Sequence, residues 1–179
     1  RGVVHYAAGE WTVPAAIDPE DLPNGIASAL AARVAALGPH ARELALTFAL
    51  CPELSFSFAE CQKLGDDRPP TALLSDLDEL RNAELVRRSD DRLRLAHPIW
   101  VAPIRSIHAR EHPGAAHTDL ERALDARLAG VLETRGEEFR AGQHWLRAGE
   151  PARALDVLVE HARRSQDETA RDAELFLSY

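Results

Sequence analysis

The sequence predicts a mainly α-helical fold carrying a small β-hairpin, on three observations. Apolar residues recur at helical spacing through most of the chain. One short stretch, from Leu85-Val86 to Leu93-Arg94-Leu95, reads instead as strand, turn and strand around the charged reversal Asp90-Asp91. Glycines and prolines, among them Gly38-Pro39, Gly65, Pro113-Gly114, Gly136 and Gly149, punctuate the chain between those helical runs.

The elements follow in order. Val3-Val4 and Trp11-Thr12-Val13 flank an Ala-Gly-Glu turn and read as a hairpin, followed by a linker punctuated by Pro14, Pro19 and Pro23. A lone hairpin is marginal in water, so this one needs a neighbour to pack on. Ile26, Leu30, Val34 and Leu37 define a helix stopped by Gly38-Pro39. Leu44, Ala45, Phe48 and Ala49 are the buried stripe of a second helix, ending near Pro52. Phe56 and Phe58 alternate with serine, which predicts a short strand leading into a helix over Phe58–Leu64, closed by Gly65. Asp66 to Pro70 is a loop. Thr71 or the prolines then start a long helix whose apolar face takes Leu73, Leu74, Leu77, Leu80 and Leu85. Helix, strand, helix, helix, hairpin is the order of a winged helix, a module that docks on DNA or gates a neighbouring domain.

After His97-Pro98 a helix through Ile99, Ile104 and Ile107 runs to about His112, with Pro103 implying a kink or a late start. Pro113-Gly114 breaks the chain. Leu120, Leu124, Leu128, Val131 and Leu132 mark an amphipathic helix ended by Gly136. Phe139–Ala148, the turn Gly149-Glu150-Pro151, and a stripe of Ala154, Leu155, Leu158, Val159 and Ala162 form a helix pair. A last helix over about Glu168–Leu177 is expected roughly 34 residues, one tetratricopeptide period, after the pair begins. Helix pairs at that period build solenoids.

Composition narrows the class. With 179 residues, 45% hydrophobic content and a formal net charge of −8, the chain is long enough for one or two packed domains, and its whole surface is not a nucleic-acid footprint. Charge is uneven, however: between Arg81 and Arg110 seven arginines face only Glu84, Asp90 and Asp91, so the basic wing with Arg87, Arg88, Arg92 and Arg94 suits DNA contact and equally docking onto an acidic or phosphate-bearing partner. Cys51 and Cys61 are too few for a disulfide framework and wrongly spaced for zinc, so both are expected as buried small hydrophobes. Neither a long apolar run nor a basic-then-apolar start is present, and the expectation is a cytoplasmic protein without a membrane partner. A start at Arg1 and the lack of methionine suggest a piece of a longer protein.

Taken together, the motifs resemble the region after the nucleotide-binding core of STAND-type signal-transduction ATPases, found in large ATP-dependent transcriptional regulators and kinase-coupled sensors. The residues that carry the resemblance are Gly9-Glu10-Trp11 with Leu22-Pro23, Leu30–Leu37 with Arg33, Pro39 with Arg42, Leu77–Leu80 with Leu85-Val86, and Leu95-Ala96-His97-Pro98. Arg127-Leu128-Ala129 with Leu132-Glu133, then His144, Ala148-Gly149-Glu150 and Ala154, continue it. The resemblance implies a severed hairpin and linker from the ATPase domain over 1–25, a helical linker and winged helix over 26–112, and the start of a tetratricopeptide-like array over 115–179. It also implies that His97 reaches a phosphate of ADP held by the upstream nucleotide-binding domain. A histidine beside a helix start could combine its ring N–H with free backbone donors for that purpose.

The chain departs from the family pattern in places. Val101 and Ala102 stand where Arg then Glu commonly follow the His-Pro, and Asp125 replaces a frequent histidine. No Gly-rich loop ending in Lys-Ser/Thr is present, so this segment does not hydrolyse ATP alone; ATP or ADP belongs to the parent protein. The resemblance therefore implies a non-catalytic relay between a repeat-borne sensor and the nucleotide domain. Its expected partners are that domain, a protein or small-molecule effector on the repeats, and another copy at the exposed repeat end.

Two other readings compete. As a DNA-binding winged helix, the chain would place Arg81, Arg87, Arg88, Arg92 and Arg94 on phosphates and the Thr71–Glu84 helix in the major groove. Against this, Asp76, Asp78, Glu79 and Glu84 on that helix would repel phosphate. His108-Ala109-Arg110-Glu111-His112 matches the H-x-x-E-H string of zinc peptidases, yet Pro113-Gly114 follows at once, and a polar helix end is the preferred reading. Trp11, Trp100 and Trp145 sit among apolar neighbours and are read as core anchors.

Overall fold

Proline and glycine set the helix starts and stops in this chain, and the apolar stripes between them set what packs. The computed structural model describes the backbone of residues 5–7, 10–12, 24–113 and 118–177, with side chains over 25–113 and 118–166. It is mainly helical, with a three-stranded antiparallel sheet, and divides into two units, residues 1–115 and 116–179.

In the first unit, strands β1 (His5–Ala7) and β2 (Glu10–Thr12) pair antiparallel with Ala7 opposite Glu10. Glu10 therefore belongs to the strand rather than to the expected turn. Val3-Val4, Gly9, Val13, Pro14, Pro19 and Leu22-Pro23 lie outside the described residues. Helix α1 (Asn24–Ala35) is followed by α2 (Pro39–Leu50), which Pro39 opens at its first position, where a missing N–H costs nothing. The Glu79 carboxylate accepts the Gly38 N–H at 2.6 Å, so a side chain 41 positions further along the chain caps the start of α2. Leu44, Ala45, Phe48 and Ala49 are buried as the sequence predicts.

Strand β3 (Ser55–Ser57) runs into α3 (Phe58–Leu64) through a capping box, Ser57 Oγ accepting from Glu60 N and Glu60 accepting from Ser57 N. Gly65 closes that helix, as expected. Helix α4 (Pro70–Asn82) buries Leu73, Leu77 and Leu80, but Leu74 is half exposed. At 100° per residue Leu74 lies at the edge of the stripe rather than inside it, which corrects the expectation for that residue. Strands β4 (Val86–Ser89) and β5 (Arg92–Leu95) form the predicted hairpin, and the sheet order is β3-β5-β4.

A 3₁₀ turn, Pro98–Trp100, leads into α5 (Val101–Glu111). Pro103 occupies the third helical position, where no intrahelical acceptor is lost, so the late start replaces the kink. Helix α5 packs against α1 and α2, and Trp100, Ile104 and Ile107 are buried. Phe48 and Phe56 meet edge to face at 5.7 Å between centroids. Cys51 and Cys61 are both buried.

In the second unit, α6 (Asp119–Thr134) begins with a capping box between Thr118 and Glu121. It packs on α7 (Glu138–Ala148), which packs on α8 (Pro151–Leu177). Gly149 ends α7 in the left-handed conformation, φ 83°, which a glycine adopts without steric cost. A core cluster of Ala129, Trp145 and Ala154 joins the three helices. The helix expected separately at Glu168–Leu177 is instead the continuation of α8 over 27 residues. No glycine or proline occurs after Pro151, so nothing in the chain ends the helix near Arg164.

Candidate docking surface: the hairpin and the turn after it

The hairpin carries the arginines singled out in the sequence, and the structure separates them by role. Arg92, half-exposed, hydrogen-bonds the Ser55 hydroxyl at 2.9 Å and carbonyl at 2.7 Å and pairs with Glu60 at 3.0 Å. It therefore locks β5 to β3 and to the start of α3. Arg88 bonds the Asp90 carbonyl and the Asp91 carboxylate, at 2.8 and 2.7 Å, and so holds the reversal. Arg87 is exposed. Arg94 is half-buried, and its Nε is buried with no hydrogen-bond partner among the described residues.

His97 stands immediately after β5, exposed, with Nδ1 accepting the Ile99 N–H at 3.1 Å. A ring nitrogen that accepts carries no proton, so the neutral ring holds its proton on Nε2. The backbone donors expected beside it are used: Ile99 N–H by the imidazole, Trp100 N–H by the His97 carbonyl at 3.2 Å, and Val101 N–H by the Pro98 carbonyl. His97 thus offers one outward donor and no nest of amides.

The carboxylates expected to repel phosphate from the Thr71–Glu84 helix are engaged, although that helix ends at Asn82 and Glu84 lies in the turn beyond it. Asp76 pairs with Arg68, Asp78 with Arg81, Glu79 with the Gly38 amide, and Glu84 with Arg33 at 2.9 Å. Between α4 and the hairpin lies a groove of about 250 Å³, with Phe58, Leu74, Leu77 and Leu93 on its floor and the Asp78–Arg81 and Arg88–Asp91 pairs on its rim. Sequence reasoning missed this groove. The signal for it is Leu74, one apolar residue too many for the buried stripe.

In the H-x-x-E-H string the His108 and His112 rings lie 4.6 Å apart between centroids. Helix α5 ends at Glu111, whose carboxylate pairs with Arg42, and the His112 ring nitrogen bonds the His108 carbonyl at 3.1 Å. Among the described residues no group of three or more His, Cys, Asp or Glu is placed to hold a metal ion. No helix among them is long and apolar enough to cross a membrane.

In the second unit the structure joins Asp125 and His144, which the sequence singled out only as a family departure and a family match, in a buried pair. The signal was present: Asp125 follows Leu124 on a stripe whose other members are all apolar. Trp145 is buried, donates its indole N–H to Glu133 and lies under the Arg153 guanidinium at 3.7 Å, which makes it a core anchor rather than a stacking platform. Comparison with known protein families, curated proteins and solved structures finds no match.

Proposed function

We propose that this chain is a non-catalytic regulatory segment of a STAND-like ATPase regulator: a winged helix followed by the opening helices of a tetratricopeptide-like array. The observation that carries the first half is the strand order β3-β5-β4, with α2, β3, α3, α4 and the hairpin in sequence. A winged helix has that order and that topology, its first strand pairing with the second arm of the wing. The array is supported by α7 and α8. Gly142 and Trp145 keep the spacing G-x₂-aromatic, Ala154 and Leu158 keep A-x₃-large apolar, and Gly149 turns the chain between the helices. The closing proline of such a unit is missing, in keeping with the length of α8.

In this reading the array senses an effector and the winged helix holds or releases the nucleotide-binding domain of the parent protein, a shift between two populated arrangements. His97 is the phosphate contact, through its Nε2 proton. Capping and phosphate binding are separable, because an asparagine side chain caps a helix start as well as His97 does but offers no donor at the Nε2 position. In the parent protein, His97→Asn is expected to weaken ADP retention about tenfold, a loss of about 1.4 kcal/mol in line with one charge-assisted hydrogen bond, while leaving the melting temperature unchanged. Unchanged ADP affinity in that variant removes the phosphate role.

A further inference from the structure

The outer face of the three-stranded sheet consists of serine and arginine alone. Strand alternation turns Phe56, Val86, Leu93 and Leu95 inward, and all four are buried. The opposite face then takes Ser55 and Ser57 from β3, Arg87 and Ser89 from β4, and Arg92 and Arg94 from β5. Register orders them in rows: Arg92 lies between Ser57 and Ser89, and Arg94 between Ser55 and Arg87.

The first row is neutralised from within, since Arg92 pairs with Glu60. Among the described residues, the second row has no carboxylate partner. The hairpin carboxylate Asp91 is held by Arg88, which alternation places on the other face together with Phe56 and Leu93. Arg87 and Arg94 are therefore directly opposed like charges, with Cβ atoms about 5 Å apart, an arrangement that destabilises a sheet unless an anion lies between them. Arg94 Nε adds a buried donor without a partner among the described residues, a second cost that an oxyanion would remove.

We infer that Arg87 and Arg94 form a binding site for a dianionic phosphoryl group on the outer face of the sheet. Two guanidinium forks supply two positive charges and parallel N–H donors, which a phosphate monoester matches with nearly two negative charges and three terminal oxygens. A carboxylate would satisfy one arginine and leave the other opposed. This site is distinct from His97 and stands on sheet register and the buried Arg94 Nε, so it does not depend on the relay reading.

Thermal unfolding of the whole chain tests it, with sodium phosphate, AMP or adenosine at 10 mM and chloride at matched ionic strength as the reference. Phosphate is expected to raise the melting temperature by about 3 °C, the shift for a site of millimolar affinity. AMP acting like phosphate, with adenosine inert, identifies the phosphoryl group as the whole ligand; a larger shift with AMP identifies a nucleotide source. Arg87→Gln and Arg94→Gln each abolish the shift, whereas Arg110→Gln, an exposed arginine on α5, keeps it. Arg87 is exposed, so its variant folds and carries the test if the Arg94 variant does not. In chloride alone Arg87→Gln melts no lower than the parent chain, because the repulsion is gone. An equal shift from chloride, or a shift that survives in the double variant, overturns the site.

Discussion

Asp125 on α6 and His144 on α7 meet through a 2.6 Å contact between a carboxylate oxygen and ring Nδ1, with side chains 0% and 7% exposed. At that depth the contact fixes the rotation of each helix against the other, since a slip of either would bury both groups apart. Removing Asp125 leaves the buried His144 ring without that hydrogen bond, so Asp125→Ala is expected to cost about 3 kcal/mol. Urea unfolding of the single variants and of Asp125→Ala/His144→Ala gives the coupling directly. A coupling energy above about 1 kcal/mol is expected for two groups in contact.

Gly142 shows how closely α7 and α8 approach. A Cβ placed there would lie 2.6 Å from Leu158 Cγ, well inside van der Waals contact. Alanine is the better helix former by about 1 kcal/mol, yet Gly142→Ala is expected to destabilise by about 1–3 kcal/mol, because the overpacking outweighs the propensity. Adding Leu158→Ala makes room, so the double variant is expected to lose less than the sum of the two singles in the same unfolding measurement.

Which parts of this fold were legible in the sequence follows from the range of the interactions involved. Gly65, Gly149 and Pro39 act on their own backbone, and the helix ends they mark are where the sequence places them. The Asp90-Asp91 reversal is a local pattern as well, and so is the leucine stripe, of which Leu73, Leu77 and Leu80 are buried on α4 while Leu74 is half exposed and Leu85 lies beyond the helix end. Pairings across the chain were not legible. Nothing near Glu79 announces that its carboxylate caps Gly38, 41 positions away, and nothing near Arg92 announces Ser55 and Glu60. The same holds for the site: Arg87, Arg88, Arg92 and Arg94 look alike in sequence, and only the register of three strands divides them into two that brace the hairpin and two that oppose each other.

Glu84 is held at φ 61°, a left-handed conformation that costs a residue with a Cβ about 1 kcal/mol. Its compensation is an ion pair with Arg33, but both side chains are more than half exposed, 54% for Arg33 and 76% for Glu84, where such pairs contribute little. Glu84→Gly is therefore expected to stabilise the chain slightly, by about 0.5 kcal/mol, and to raise the midpoint of urea unfolding. A lower midpoint would mean that the Arg33 pair holds α1 against the end of α4 more strongly than exposed pairs do.

Glu138 gives the second unit a predictable response to acid. Its carboxyl is held below the ordinary value of 4.5, first by hydrogen bonding to its own backbone amide at the start of α7, then by the charges of Arg164 and His161 on α8; desolvation acts in the opposite direction. The carboxylate pairs directly with Arg164 and lies 3.8 Å from the His161 ring. A group whose value is depressed on folding contributes stability that is present above its unfolded value and lost as pH falls through the folded one. The α7–α8 contact should therefore hold at neutral pH and weaken below about pH 4.5, the ordinary glutamate range. Glu138→Gln removes the charge at every pH. Its unfolding midpoint is expected to lie below that of the parent chain at pH 7 and to converge with it as the pH is lowered toward 3, in urea titrations at fixed ionic strength. A constant difference between the two across that range would assign the stabilisation to packing of the side chain rather than to its charge.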